Sequence, residues 1–159
     1  MIAVSRLKNS LYETDYQLWL DRTLEQLRSQ DFSNIDLENL IEEIEDLGKS
    51  GKRAIVSYVV RLCEHLLKIA YWDCERERCF RGWDVEITHF RWQIQASLKD
   101  SPSLKSHLNE NFELAYRNGR KLFLKASGLE PTCIPEQPCF TLAEALDEDW
   151  LPEQSSRPI

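Results

Sequence analysis

The stretch from Asp36 to Trp72, DLENLIEEIEDLGKSGKRAIVSYVVRLCEHLLKIAYW, carries the most acidic and the most apolar helical patterns in the chain. In its first half Leu37, Leu40, Ile41, Ile44 and Leu47 recur at three- and four-residue steps, while Glu38, Glu42, Glu43, Glu45 and Asp46 cover the rest of the circumference. That pattern predicts a surface helix with one narrow buried seam. In the second half Ile55, Val59, Leu62, Leu66 and Ile69 share one side, with Val56, Val60, Cys63, Leu67 and Ala70 beside them. Only Ser57, Arg61, Glu64, Lys68 and Tyr71 are left for water, so this half reads as a central helix buried around most of its surface. Gly48 and Gly51 bracket Lys49 and Ser50, and the reading favours a tight turn there over a kinked continuous helix.

Upstream, Tyr12, Tyr16, Trp19, Leu20, Leu24 and Leu27 line one face of a helix expected over about Glu13 to Arg28. Ser29 to Ile35 has no periodicity, and Asp36 then suits the N-cap of the acidic helix. Downstream, Asp73 to Gly82 (DCERERCFRG) loses apolar spacing and reads as a loop or a fraying helix end. Trp83, Ile87, Phe90, Ile94 and Leu98 restart a helix, with Val85, Trp92 and Ala96 as a weaker second strip. Ser101-Pro102 reads as cap and first residue of the next helix, whose face is Leu104, Leu108, Phe112, Ala115, Leu122 and Ala126. That helix ends at Gly128, with Gly119 as a weak point. The remaining tail holds five of the six prolines and one short helix, Leu142 to Leu146, announced by a Thr141/Glu144 capping box with Phe140 at the staple position. The expected architecture is all-α: a bundle of about four to five main helices with an irregular C-terminal tail. Residues 1–11 and 153–159 are expected to be flexible ends around a single helical domain, 12–152.

With 159 residues, 42 % of them hydrophobic, the chain has enough apolar mass for one core without disulfides or metal. A net charge of −7 argues against broad neutralisation of nucleic-acid phosphates. The N-terminus carries no apolar run of secretory length, and nowhere do about 18 uncharged apolar residues follow one another, so a cytoplasmic location is expected. In that setting the five irregularly spaced cysteines read as reduced thiols.

Five segments, YETDYQLWL, DLENLIEEIEDLG, HLLK, SPSL and FTLAEALDEDWLP, together resemble the bacterial "domain of unknown function 29" family, in that order and over about Tyr12 to Pro152. The resemblance implies an all-helical cytoplasmic domain. It implies no activity, substrate or catalytic residue. Cys74 and Cys79 stand outside the shared pattern.

Candidate chemistry is sparse. Glu86 and His89 form one Glu-x-x-His, a spacing that carboxylate-bridged di-metal bundles use twice, and no second copy exists. Cys74/Cys79 and Cys133/Cys139 are spaced too widely for a structural zinc pair. Neither a metal nor a cofactor is therefore expected. His65 sits at the edge of the central stripe, and a carboxylate of the acidic helix, Glu43 or Glu45, is its expected partner, an ion pair that would raise its pKa. Glu43, Glu45 and His65 thus form a candidate polar cleft. Glu38, Glu42 and Glu45 form an acidic row, read either as a solvated face or as a docking surface for a basic partner. Arg76, Arg78, Arg81 and Trp83 interleave arginine with an aromatic and form a weak candidate nucleic-acid patch. The leading functional expectation is a non-enzymatic module that binds another protein through its acidic helix, with self-association left open; the alternative is an enzyme or metal-binding protein with a Glu/His cleft.

Overall fold

The computed structural model describes residues 10–154, which hold six α-helices and no strand. The all-α expectation holds. The expected flexible ends fall almost wholly outside these residues. Helices α1 (Leu11–Thr14), α2 (Tyr16–Arg28), α3 (Leu37–Tyr71), α4 (Asp73–Asp100), α5 (Leu104–Ser127) and α6 (Leu142–Leu146) follow in order, with short 3-10 turns at Phe32–Asn34 and Pro131–Cys133. The chain divides into two compact units at Lys49/Ser50.

In place of the expected turn at Gly48–Gly51, α3 runs unbroken. Neither glycine has a positive φ, and each stands in open space, so nothing there demands the left-handed conformation that ends a helix. Glycine in a helix interior costs about 0.5–1 kcal/mol, too little to stop a helix already propagating from both sides.

The second unit holds the core. Ile55, Val59, Leu62, Leu66 and Ile69 of α3 are fully buried with Cys63 and Leu67, and they pack with Ile87, Phe90 and Ile94 of α4 and Leu108, Tyr116 and Phe123 of α5. The closest approach is at Gly119, where a Cβ would lie 2.6 Å from the Val60 carbonyl oxygen and 2.9 Å from Cys63 Cβ. Only glycine lets α5 come this near α3. Along α5 the buried stripe runs through Tyr116, Gly119 and Phe123, while Leu122 and Ala126, expected inside, are exposed. The helix also begins two residues later than expected: Ser101 to Ser103 form a turn, and Leu104 is the first helical residue.

Asp73 to Gly82 forms the first turns of α4 and is not a loop. Trp72 is the only residue between α3 and α4. The sequence hides this helix because its support is charged and local: Arg76 pairs with Asp73 and Arg78 with Glu75 at i, i+3 spacing. Arg76 also donates to the Ile69 and Ala70 carbonyls, which α3 leaves without intrahelical partners at its end.

The proline-rich tail is held by two arginines. Arg91, 3 % exposed, donates to the carbonyls of Ala145 (2.9 Å), Glu148 (3.3 Å) and Trp150 (2.7 Å). Arg120 does the same for Pro131 and Ile134. Irregular chain cannot satisfy its own carbonyls, and a guanidinium fork supplies several donors at once. Thr141 and Glu144 form the expected capping box, with Phe140 buried ahead of α6.

Candidate interaction surface

The first unit is a helical hairpin with a polar hinge. The helix expected over Glu13 to Arg28 breaks at Asp15, whose carboxylate accepts from the Leu18 N–H (3.0 Å) and so starts α2 separately from α1. Of the aromatic and aliphatic face expected there, only Trp19 is buried. Its indole N–H donates to Asp36 (3.3 Å), the residue that also caps α3 by accepting from the Asn39 N–H.

Glu43 is the polar centre of the hairpin. Tyr12 and Tyr16, one turn apart across the α1–α2 break, donate their hydroxyls to its two oxygens at 2.6 and 2.7 Å. These bonds hold the Glu43 carboxyl below its ordinary range. They push the Tyr12 phenol up to about 12, chiefly through the bond to Glu43 and then through burial, and raise that of Tyr16 likewise. Both protons therefore stay on the tyrosines at neutral pH. Tyr12, Tyr16 and Trp19 stack or meet edge-on at centroid distances of 4.9–5.8 Å. Read only as apolar residues, the two tyrosines concealed this role; the signal was a phenol at i and i+4 ahead of an acidic helix.

Pinning α1 and α2 to the Glu43 side leaves another side of α3 uncovered. At about 100° per residue, Leu37, Ile41 and Ile44 cluster within about 60° of one another, and Leu47 follows along the helix. Their exposures are 60, 49, 62 and 75 %. Among the described residues the seam expected to be buried is thus open, because the hairpin offers no third helix there to close it. Beside it lie Glu38, Glu42 and Glu45, all exposed. Glu45 and Asp46 share Lys49, at 3.5 and 3.3 Å. Residues 10–49 hold eleven Asp and Glu against Arg22, Arg28 and Lys49, so most of the net negative charge of the chain falls in this unit.

The residues of the candidate polar cleft, Glu43, Glu45 and His65, each have local partners: in the first unit Glu43 is taken by the tyrosines and Glu45 faces Lys49. His65 instead bonds through Nδ1 to the Arg61 carbonyl (2.9 Å) and meets Phe90 edge-on. A carbonyl only accepts, so Nδ1 carries the proton of a neutral ring. Burial lowers the His65 pKa, and Lys68 adds to this against the smaller pull of Glu64. The expected upward shift is reversed. Its neighbour Glu64, expected in water, is 4 % exposed and clamped by Arg61 (2.6 Å) and Lys68 (2.9 Å). The bracketing cations at i−3 and i+4 were its sequence signal.

The basic patch is likewise dispersed. Arg76 is turned onto the end of α3, Arg78 pairs with Glu75, and Trp83 is buried and stacked on Trp72 at 5.6 Å; Arg81 alone remains exposed without a partner among the described residues. Glu86 and His89 are both exposed. Among the described residues no group of three or more His, Cys, Asp or Glu side chains is placed to hold a metal, and no helix is long and apolar enough to cross a membrane. Open grooves are present among the described residues. One of about 730 Å³ lies in the first unit and one of about 540 Å³ lies beside Phe140. Their polar groups are largely engaged internally: Asp36 with Trp19 and Asn39, Asp31 with Ser33 and Asn34, Thr141 with Glu144.

The family model described as "Domain of unknown function DUF29" matches residues 11–151. No curated protein and no solved structure matches the chain.

Proposed function

The chain belongs to the DUF29 family, a description that names no activity, and from the geometry of its first unit we propose that it is a non-enzymatic docking module acting in the cytoplasm. It binds another protein through residues 37–49 of α3. One observation carries this reading: Leu37, Ile41, Ile44 and Leu47 form a continuous apolar seam in the open, on a helix whose remaining surface is charged. Isolated exposed leucines are ordinary, but an aligned run rimmed by charge is the pattern of a surface that is covered in use. The rival reading, catalysis in a Glu/His cleft, has no comparable support, since Glu43 and His65 are each committed to their own partners.

The test is the mass of the native assembly. The protein, isolated at its natural level under mild conditions, is expected to migrate as a defined complex with a second polypeptide in size-exclusion chromatography with light scattering. Ile44→Asp should release it. A parent that runs as a monomer, or a complex that survives Ile44→Asp together with Ile41→Asp, rejects the reading.

A further inference from the structure

Resting on that docking role, we infer that the partner presents a basic amphipathic α-helix, which lays its apolar stripe along Leu37, Ile41, Ile44 and Leu47 and its lysines and arginines against Glu38, Glu42 and Glu45. The shape of the seam selects a helix. Four residues at steps of four, three and three make a slanting stripe that spans about 120° of the helix circumference and about 15 Å of its length, a surface that a second helix covers by ridge packing. Leu37, Leu40, Ile44 and Leu47 also keep the alternating three-four spacing of a coiled-coil seam.

Charge selects the sign. Glu45 and Glu38 stand about 90–115° around the helix from the middle of the seam, where flanking charges of a paired helix meet, and Glu42 lies farther round, within reach of a long lysine or arginine side chain. Among the described residues neither Glu38 nor Glu42 has an ion-pair partner, and the three glutamates repel one another at i, i+4 and i+7. A cationic flank relieves that repulsion while the seam is covered. A second copy of the chain fits worse: in an antiparallel pairing of two seams the acidic row faces its own counterpart. The opposite flank offers no cation either, being occupied by Glu43 and its tyrosines.

Three synthetic peptides, each about three heptads long, discriminate these readings when titrated calorimetrically into the full chain. One has a Leu/Ile stripe with Lys/Arg flanks; the second keeps the stripe with Glu flanks; the third keeps the basic composition with the stripe scrambled. The first is expected to bind at least ~10-fold more tightly than either control, and to weaken as salt rises. Replacing Glu38, Glu42 and Glu45 together by Gln should cost about tenfold in affinity at low salt, and Ile44→Asp should abolish binding. Every changed position is exposed, and circular dichroism of each variant verifies that the helices are retained. Equal binding of the acidic and basic peptides, both lost in Ile44→Asp, overturns the basic partner but leaves the docking surface standing. Failure of the basic peptide to bind overturns the inference, and the native-assembly experiment then judges the docking reading independently. A dimer of the parent that Ile44→Asp dissociates assigns the seam to a second copy and also overturns it.

Discussion

The two units treat the same kind of helix in opposite ways. In residues 50–71 of α3 the aliphatic residues at three- and four-step spacing are sealed, with Ile55, Val59, Leu62 and Leu66 at zero exposure. In residues 37–49 an equally regular set is left in water. The difference is not in the pattern but in what surrounds it. The second unit supplies α4, α5 and a clamped tail to close around its helix; the first supplies one two-part helix that grips Glu43 by hydrogen bonds and covers little else. An apolar stripe thus states what a helix is able to bury, while the neighbours decide whether burial occurs.

A matched pair of truncations should separate the two halves of α3. Leu66→Ala should cost about 2–5 kcal/mol in denaturant unfolding, the range for a large aliphatic residue removed from a core. Ile44→Ala should stay within about 0.5 kcal/mol, as for a surface change. Similar losses for both would mean that the seam is closed within the chain itself.

Arg91→Ala should cost about 3 kcal/mol, because hydrogen bonds to a charged group contribute about 1.5–3 kcal/mol each and three carbonyls lose their donor together. The loss is expected to appear locally as well, as faster amide exchange in residues 140–152. Unchanged exchange there would show that apolar contacts of Phe140 and Leu142 suffice to hold the tail.

The glycines sharpen the contrast further. Gly119→Ala drives a methyl into the Val60 carbonyl and should destabilise the second unit by about 1–3 kcal/mol, despite alanine's better helix propensity. Gly48→Ala meets nothing and should stabilise α3 by about 0.5–1 kcal/mol, read as slower exchange around residues 44–52. A loss on Gly48→Ala would indicate that the chain needs a turn at that point after all.

The smallest expected effect concerns His65. Its folded pKa is depressed, first by burial and then by Lys68 and Arg61, against the Arg61 carbonyl and the Glu64 charge. The unfolded chain therefore takes up the proton first as pH falls. The stability that the neutral ring contributes is fully present above about 6.5 and is lost as pH drops through that value toward the folded one. The stability difference between the parent and His65→Gln should accordingly shift against the parent from pH 8 to pH 5. A carboxylate-bound His65 demands the opposite slope, so the direction alone assigns the residue to the core of the second unit or to the acidic helix.

Helix type, the central role of residues 55–70, the capping box before α6 and the Asp36 cap were legible in the sequence, because each follows from spacing or from bonds between residues a few positions apart. The first turns of α4 were local too, but they rest on charge pairs rather than apolar period and so read as a loop or a fraying helix end. The sequence alone also concentrated the acidic residues ahead of Gly51, and with them the character of the candidate surface. Tertiary structure decided everything that depends on a partner distant along the chain. It buried Arg91 against a tail more than fifty residues away, brought α5 onto α3 at a glycine, and gave Glu43 to two tyrosines in place of His65. It also left Leu37, Ile41 and Ile44 open, since periodicity defines a face and only the packing of other helices determines whether that face meets protein or water.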